Sequence, residues 1–308
     1  MAYACNLIID SCCDLPFDIV NREGVQLIEF PYFFDDEEHL DDLWQSTTPR
    51  EFYDRMRKGA MPHTAQASLA ALTEAFTKAA QAGIPTVYLS FASALSASYD
   101  QACLMASQTL QEYPEFELYV VDTKLAAVGE GVLVFEALHQ QERGFTAKQI
   151  VDWAEEARNF VNTYFMVEDL ETLRRGGRIP STVAVVGSKL DVKPILYIAA
   201  DGSLAMRGVA RGRKKGLKQL AQFFFDRADE NAVPFVSTGN ADCPKDAERI
   251  HDIIEKAGHK PLFVDTQVGP VIGSHVGPGM VAISFWGQDR REDISISDRI
   301  ARKVRKAE

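Results

Sequence analysis

The segment NLIIDS, residues 6–11, is a short apolar run that ends in an aspartate and a serine. Two later runs have the same form, at residues 86–89 and 117–121. Continuous apolar runs of this length are typical of parallel strands that are buried on both faces of a sheet. Helix-length segments at residues 69–81 and 97–112 separate the three runs. Because strand and helix alternate, we predict an open α/β sheet for the first half of the chain.

Polar residues lie just beyond the carboxyl end of each predicted strand. In an open α/β sheet the loops after these ends meet in one crevice, where ligands bind. The residues in this position are Asp10, Ser11, Ser93, Ser96, Asp122 and Thr123. The same residue types also cap helices, so each of them taken alone is explained at least as well by capping as by ligand binding.

The pattern changes in the second half of the chain. A helix is predicted from residue 145 to about residue 161, and two apolar segments after it, residues 194–198 and 204–209, flank Asp201-Gly202. This dipeptide favours a tight turn between antiparallel strands. The later segments are predicted as strands at residues 233–237, 262–265 and 280–286, a helix at residues 244–257 and a surface helix at residues 293–306.

The chain has 308 residues, which exceeds the usual size of a single hydrophobic core. We therefore predict two α/β domains. The first, at residues 1–157, has an open and mostly parallel sheet with flanking helices, and the second, at residues 158–308, has a mixed or antiparallel sheet. An interface between two domains is a common place for a ligand pocket.

The composition excludes several classes of function. The net charge of -11 at pH 7 argues against an extended surface for nucleic acid or anionic membranes. No run approaches the ~18 apolar residues of a membrane span, and the N-terminus lacks a basic region before a long apolar stretch. The five cysteines form no C-x-x-C pair and no metal-ligand spacing. We expect a cytoplasmic protein without a metal site, a nucleic-acid partner or integral membrane association.

A glycine-rich segment, GPVIGSHVGPG at residues 269–279, leads into the apolar run at residues 280–286. Its four glycines permit turns and close approaches that a side chain would exclude, and His275 is the one ionisable residue among them. Two interpretations stay open. The segment forms a ligand site, or it is a Gly/Pro loop that leads into a buried strand.

Two further segments place hydroxyl groups where a helix begins. In residues 93–99, SALSASY, backbone N–H groups and the hydroxyls of Ser93 and Ser96 converge at the start of a predicted helix, an arrangement that attracts a carboxylate or a phosphate. Thr64 and Ser68 precede another helix, where one hydroxyl can cap the helix and the other can bind a ligand. Capping alone explains these residues about equally well.

Arginines cluster in two loops of the second half. Three of them surround a Gly-Gly turn in residues 173–180, and residues 209–215 contain Arg211 among further basic residues. Flexible basic loops hold phosphates or acidic partners, although many are only solvated. Two such clusters on an acidic protein predict a local docking surface.

Together, these motifs resemble those of the DegV family of bacterial fatty-acid-binding proteins. G-G-R-I at residues 176–179 and H-x-G-P-G at residues 275–279 are the most specific pieces. The matching segments run in order over almost the whole chain: residues 9–11, 14–16, 64–68, 93–99, 121–123 with Gly129, Leu170 with Leu173, then residues 175–179, 193–196, 201–202, 211–212 and 269–279.

The resemblance implies a carrier without catalytic residues or a cofactor. It implies that a long-chain fatty acid such as palmitate lies in a tunnel between the two domains. A separate ATP-dependent fatty acid kinase subunit would convert its carboxylate into an acyl phosphate for phospholipid synthesis. By this resemblance the carboxylate is held by Thr64 and Ser96, with Ser93 close by and His275 completing the polar end. The residues implied for kinase docking or phosphate binding are Arg178 and Arg211.

The chain departs from the family pattern at several positions next to the implied head-group site. Ala94 and Ala97 replace glycines, Ala65 replaces a serine and Ile9 replaces a threonine. Extra methyl groups narrow a site, so the length and saturation of the acyl chain stay open. The predicted lining residues, each of which is more often a core residue, are Phe30, Phe33, Phe34, Phe165, Met166, Leu196 and Phe285.

Two enzymatic alternatives start from the same residues. A serine hydrolase acting on an acyl ester would use Ser96 or Ser93 with His275 and either Asp122 or Asp10, although the chain lacks a G-x-S-x-G motif. A phosphotransferase built on Asp10 would usually need a second acid two residues later, where Cys12 stands. The chain also has no G-x-x-x-x-G-K-[ST] loop for ATP. We therefore expect any phosphoryl chemistry to come from a partner.

Overall fold

The computed structural model describes residues 3–179, 191–229 and 235–292. The surface helix predicted at residues 293–306 lies outside these ranges. The strands are β1 Asn6–Asp10, β2 Val25–Ile28, β3 Pro31–Phe34, β4 Glu37–Leu40, β5 His63–Thr64, β6 Thr86–Ser90, β7 Leu118–Asp122, β8 Val161–Met166, β9 Val192–Ile198, β10 Leu204–Arg211, β11 Phe235–Asn240, β12 Leu262–Gln267 and β13 Val281–Trp286. The helices are α1 Phe17–Val20, α2 Pro49–Arg57, α3 Leu69–Ala82, α4 Ser98–Glu112, α5 Val128–Glu142, α6 Ala147–Ala157, α7 Glu171–Arg175, α8 Arg213–Arg227, α9 Pro244–Lys256 and α10 Pro270–Val276.

The first sheet is wholly parallel, with strand order β2-β1-β6-β7. Its central strands β1 and β6 are buried almost throughout, which is why both read as continuous apolar runs. The connecting helix α3 buries Leu72 and Phe76 against the sheet, and Ser68 caps its first turn. The predicted alternation of strand and helix in the first half is confirmed.

The second sheet is mixed, with strand order β10-β9-β8-β13-β11-β12. Only β11 and β12 are parallel, and the other neighbours are antiparallel. The predicted turn at Asp201-Gly202 joins β9 to β10, and Gly202 has the positive φ of +90° that such a turn requires. The predicted mixed sheet of the second half is therefore confirmed.

A third, small sheet of strand order β4-β3-β5 was not predicted. Its strand β5 has only two residues, too few to show an alternating pattern in the sequence. The pairing of Tyr32 with Thr64 fixes the segment before α3 against the β3–β4 hairpin. This sheet therefore sets the position of Thr64.

The helix α5 lies between the two large sheets. It packs against β8, β11 and β13 of the second sheet and against the turn that follows β1 of the first. One apolar cluster continues across the gap and includes Ile8 and Tyr88 from the first sheet and Phe165 and Leu196 from the second. The domain boundary at residue 157 falls between α6 and β8 and stays a prediction.

Two predicted elements have different bounds in the structure. The helix predicted to reach residue 161 ends at Ala157, and Val161 instead begins β8. Residues 270–276 of the glycine-rich segment, for which a Gly/Pro loop was one of the two interpretations, form α10. Pro270 stands at the first turn of that helix, where its fixed φ favours helix formation, and Gly277 follows its end with a φ of +75°. The sequence did not predict this helix, because glycine disfavours helix formation.

Candidate functional site

A cavity of about 530 Å³ lies between the two large sheets. This volume falls within the ~300–1,000 Å³ of small-molecule sites. Most of its wall is apolar, with Leu95 contributed by the loop after β6, Val128 by α5 and Ile198 by β9. Such a wall suits a ligand with a long apolar part.

The structure brings only some of the predicted lining residues to the cavity. Phe30 and Phe165 line it. The predicted residues that do not line it are Phe33, Phe34, Met166, Leu196 and Phe285. Of the alanines at unusual positions, Ala65 and Ala97 line the cavity and Ala94 does not.

Thr64 and His275 meet at the cavity wall, with 2.8 Å between Thr64 Oγ1 and His275 Nε2. Thr64 is brought there by β5, and His275 lies in the last turn of α10, which packs against β5. The neighbouring Ser68 instead caps α3, since its hydroxyl accepts from Ala71 N–H at 3.0 Å. Ser68 therefore has the capping role before α3, and the Thr64 hydroxyl does not cap the helix.

The imidazole of His275 is neutral at physiological pH. Burial, together with the positive charges of Arg178 and Arg175, lowers its pKa to about 4. Its Nδ1 is buried beside Gly176 and has no hydrogen-bond partner among residues of known position. An orphaned N–H is rarer than an under-used acceptor, which favours the tautomer with the proton on Nε2. In this tautomer His275 donates to Thr64, and the Thr64 hydroxyl proton stays available to a ligand.

Ser96 receives similar support from Ser98. Ser98 is fully buried, and its hydroxyl accepts from Ala67 N–H at 3.2 Å and lies 2.9 Å from the Ser96 hydroxyl. No other acceptor for the Ser98 proton exists within the described part of the chain, so Ser98 donates to Ser96. Ser96 Oγ also accepts from the backbone N–H of Ser98 at 3.2 Å. The hydroxyl proton of Ser96 is consequently free to point into the cavity that it lines.

Ser93, which the resemblance places close to the head group, does not line the cavity. Its hydroxyl donates to Asp122 at 2.6 Å, and its backbone N–H donates to the same carboxylate at 3.1 Å. Asp122 also accepts from Lys124 N–H, so this group of contacts fixes the two loops that follow β6 and β7. Ser93 acts here as a loop-stabilising residue.

The hydrolase alternative requires a carboxylate on His275, and none of the described residues supplies one. The side-chain partner of His275 is Thr64. Asp122 is bound to Ser93, and Asp10 accepts from Tyr88 and from backbone N–H groups, including that of Phe91. The residues proposed for a triad are therefore not assembled into one.

The two predicted arginines lie in different places. Arg178 lines the cavity, and it donates to the carbonyls of Leu95 at 3.1 Å and Gly176 at 2.5 Å. These bonds tie the Gly-Gly turn to the loop that carries Ser96. Arg211 is exposed at the end of β10 and does not line the cavity.

The basic cluster at residues 209–215 is partly neutralised by acidic side chains. Arg213 forms an ion pair with Asp246 at 2.5 Å and another with Glu168, and it donates to the carbonyl of Gly279. Lys214 and Lys215 beside it are exposed. The basic surface predicted for this cluster is therefore narrower than the sequence suggests.

Sequence reasoning missed Ser98. The signal available for it was the S-x-S spacing of residues 96–98 at the start of a helix. It also missed the buried carboxyls Asp14 and Asp41, for which the sequence offers no signal beyond polar residues in loops.

Two negative findings apply to residues 3–179, 191–229 and 235–292. No helix there is long and apolar enough to cross a membrane. In the same ranges no group of three or more histidine, cysteine, aspartate or glutamate residues is arranged to hold a metal ion.

Two sequence comparisons with known proteins identify the same family. The model of the DegV family, described as "Uncharacterised protein, DegV family", matches residues 4–288. A DegV domain-containing protein of Clostridium perfringens is 36% identical over 285 residues, which cover 92% of this chain and 98% of that protein.

Solved structures match over a similar length. A fatty acid binding DegV family protein from Streptococcus agalactiae has a TM-score of 0.81 at 26% identity, with 94% of this chain and 100% of that chain covered. A DegV family protein from Thermus thermophilus, described by its fatty acid binding, has a TM-score of 0.78 at 27% identity, with 92% and 99% covered. The family match over nearly the whole described chain and the shared fold lead to one conclusion: this chain belongs to the DegV family.

Proposed function

We propose that the protein binds a long-chain fatty acid in the cavity between its two large sheets, with the carboxylate on the hydroxyls of Thr64 and Ser96. One observation carries this proposal. Each hydroxyl lies within hydrogen-bond distance of a partner inside the protein, Thr64 Oγ1 at 2.8 Å from His275 Nε2 and Ser96 Oγ at 2.9 Å from Ser98 Oγ. With His275 and Ser98 assigned as the donors, each hydroxyl has its own proton to donate. Two hydroxyl donors in the wall of a mostly apolar cavity suit a carboxylate with an alkyl chain. The relatives from S. agalactiae and T. thermophilus are both described as fatty acid binding.

Affinity in this proposal comes mainly from the acyl chain. Each buried CH₂ group contributes ~0.8 kcal/mol, so a chain of about sixteen carbons binds tightly even when the head-group contacts are modest. Arg178 uses Nε and Nη1 on backbone carbonyls and therefore does not present the two-pronged face that would occupy both carboxylate oxygens. A carboxylate oxygen that accepts one hydroxyl proton keeps a second lone pair, so it stays able to react.

This reactive oxygen is the basis for a carrier role. We propose that a separate ATP-dependent fatty acid kinase subunit docks on the protein. The carboxylate oxygen then attacks the γ-phosphorus of ATP. The bond from the γ-phosphorus to the oxygen that bridges it to the β-phosphorus breaks, and the products are acyl phosphate and ADP. The exposed Arg211 is proposed as part of the docking surface. Five unpaired cysteines are compatible with the cytoplasm as the place of this reaction. The carrier role is tested by adding the kinase subunit and ATP to the loaded protein and measuring the formation of acyl phosphate.

The head-group assignment is tested by the affinity for palmitate in the variants Thr64→Val and Ser96→Ala. Each loses one hydrogen bond to a charged group, worth about 1.5–3 kcal/mol, so we expect each variant to bind about 10–100-fold more weakly. Displacement of a fluorescent fatty acid at neutral pH measures this.

Ser93→Ala is the matched control, because it removes a neighbouring serine hydroxyl that is bound to Asp122 and does not line the cavity. Its affinity is expected to equal that of the wild type. Equal losses in Ser93→Ala and Ser96→Ala, or no binding by the wild type, would contradict the proposal.

A further inference from the structure

A groove lies between α8 and α9, on the face of the second sheet that is turned away from the cavity. Successive residues of β8 show the two faces. Phe165 lines the cavity, whereas Met166 packs in one apolar cluster with Leu220 of α8 and Ile250 of α9. The groove has a volume of about 370 Å³. The fatty acid of the proposed function lies on the other side of the sheet, so this groove has no part in holding it.

Cationic side chains dominate the rims of the groove. The spacing of its residues along each helix is i, i+3 and i+4, extended to i+7 on α9, which places each set on one helix face. Leu217 is buried and Ile253 is half-buried, so these two apolar residues form the floor, and the charged residues are exposed. The full set is Lys214, Leu217 and Lys218 on α8 with Arg249, Asp252, Ile253 and Lys256 on α9.

The positive charge of the groove is not neutralised by the described part of the chain. Lys214 and Lys218 form no ion pair there, and the one acid of the groove is paired with Lys256 at 3.0 Å. The whole chain carries a net charge of -11 at pH 7, so the groove is opposite in sign to the protein around it. A basic groove of this kind attracts an acidic partner.

The shape of the groove favours a helix as its occupant. Two packed helices leave a groove that accepts the side chains of a third helix, with the apolar residues of that helix at i, i+3 and i+4 on the floor. Acidic residues beside this apolar stripe would meet the lysines on the rims. A flat bilayer surface does not reach a recessed floor, and the net charge of the protein repels anionic lipids and nucleic acid.

One end of the groove borders the segment that follows the head-group site. Arg213, the first residue of α8, donates to the carbonyl of Gly279 at 2.6 Å. Gly279 lies four residues after His275, and a stretch of this length spans at most about 14 Å. Lys214 follows Arg213 directly. A partner held in the groove is therefore anchored on the flank of the site that would hold the carboxylate.

We propose that the groove between α8 and α9 binds an acidic amphipathic helix of the kinase subunit. This inference rests on the proposed function, and it adds a defined docking surface to the exposed Arg211. Lys214 and Lys218 attract the carboxylates of the helix, while Leu217 and Ile253 cover its apolar stripe. The groove sets the affinity of the two proteins for each other and takes no part in fatty acid binding or in phosphoryl transfer.

The test measures acyl phosphate formation by the kinase subunit and ATP as the concentration of the palmitate-loaded protein is varied. Lys214→Glu and Lys218→Glu are each expected to raise the KM for the loaded protein by about tenfold, because an attraction at the rim becomes a repulsion, and to leave kcat within about twofold. Lys218→Arg keeps the charge and the wild-type KM. The affinity of all three variants for palmitate, measured by fluorescence displacement, is expected to equal that of the wild type.

Lys215→Glu is the matched control, because Lys215 is an exposed lysine of the same helix that does not line the groove. Its KM is expected to stay within about threefold of the wild-type value, the effect of a solvated surface charge. Titration calorimetry of the ligand-free protein with the kinase subunit gives a second readout that needs neither fatty acid nor catalysis. The same order of affinities is expected there, with the two groove variants weaker than Lys215→Glu.

A wild-type KM and Kd in both groove variants would overturn the inference, and so would equal losses in Lys215→Glu and Lys218→Glu. Vesicles of equal parts phosphatidylglycerol and phosphatidylcholine test the other occupant. If the groove variants lose binding to these vesicles and keep the wild-type KM, the groove belongs to a membrane surface and the inference is wrong. A wild type that binds no palmitate refutes the proposed function instead, and the calorimetric comparison still decides the docking surface.

Discussion

Gly176 and Gly177 are neighbours that need to be glycine for different reasons. Gly176 has ordinary helical φ and ψ angles, but a Cβ atom there would clash with Nδ1 of His275. Gly177 has a φ of +73° and open space around it. The first glycine therefore protects the position of a side chain, and the second permits a backbone turn.

The two glycines give a prediction that separates binding from stability. Gly176→Ala is expected to push His275 away from Thr64 and to weaken palmitate binding by about tenfold, the effect of one hydrogen bond. Gly177→Ala is expected to leave the affinity unchanged and to lower the free energy of unfolding by about 1 kcal/mol, because alanine is strained at positive φ. Fluorescence displacement and urea unfolding of both variants check this. The opposite assignment of the two effects would contradict the site geometry.

Ala127 shows backbone strain in the cavity wall. Its φ of +52° and ψ of -137° lie in a region that favours glycine. Ala127→Gly is expected to leave the free energy of unfolding unchanged or to raise it by about 1 kcal/mol, since relief of strain offsets the lost methyl group and the greater freedom of the unfolded chain.

Ala79, in regular α3, is the control for this substitution, because it is 7% exposed and Ala127 is 6% exposed. Ala79→Gly relieves no strain and is expected to cost about 1–2 kcal/mol. Urea unfolding compares the two variants. An equal loss in both would show that Ala127 is not strained.

Residue types were easier to predict than their contacts. Thr64, Ser96 and His275 were singled out by the resemblance to the DegV family, because helix capping explains hydroxyls at helix starts about equally well. Ser93 looked equivalent to Ser96 in sequence, but the loop that carries both turns its hydroxyl to Asp122. The hydrogen bond from Val271 N–H to Asp41 could not be predicted, since about 230 residues separate the two.

At the scale of elements, α5 stands out as a helix buried between two sheets with an acid in its first turn. Glu130 is fully buried, and burial together with the charges of Asp10 and Asp14 raises its pKa well above the usual range. Burial also raises the pKa of Asp10 to about 6. The folded protein keeps these groups protonated at a pH where the unfolded chain has already lost the protons.

This difference predicts a pH dependence of stability. A carboxyl with a raised pKa contributes stability that is fully present below its unfolded pKa and is lost as the pH rises through its folded pKa. Glu130→Gln removes that loss. The free energy of unfolding of the variant, relative to the wild type, is expected to rise by up to about 1.4 kcal/mol per pH unit above about pH 5.

Urea unfolding at pH 5, 6 and 7 measures the slope, which is insensitive to a constant packing difference between glutamate and glutamine. Glu136→Gln, on the same helix and half-buried, is the control and keeps the wild-type slope. A Glu130→Gln curve parallel to the wild type would show that Glu130 is ionised in the folded protein.

Elements with strong patterns were predicted well. The buried parallel strands and the hairpin at Asp201-Gly202 follow from continuous apolar runs and turn chemistry. The two-residue strand β5 and the helix α10 were not predicted, because one is too short for a pattern and the other is rich in glycine. Both carry residues of the candidate site, so the elements that build the site were the hardest to predict.

At the scale of the whole molecule, the two sheets could be predicted from the sequence, but the way they pack together could not. The change from parallel alternation to a hairpin indicated two α/β halves. The cavity depends on how α5 and α10 are placed between those halves, and an apolar cavity wall uses the same residue types as a core. Phe165 lines the cavity while Leu196, on the neighbouring strand, is a core residue, although both are apolar residues of the second sheet.

The most direct test of the account is native mass spectrometry of the purified protein, followed by solvent extraction and identification of the bound molecule. The account predicts one long-chain fatty acid per chain in the wild type and its loss or strong depletion in the double variant Thr64→Val/Ser96→Ala. Ser93→Ala should retain it. A wild-type protein that carries no lipid and takes up no added fatty acid, or a double variant that is as fully loaded as the wild type, would contradict the account.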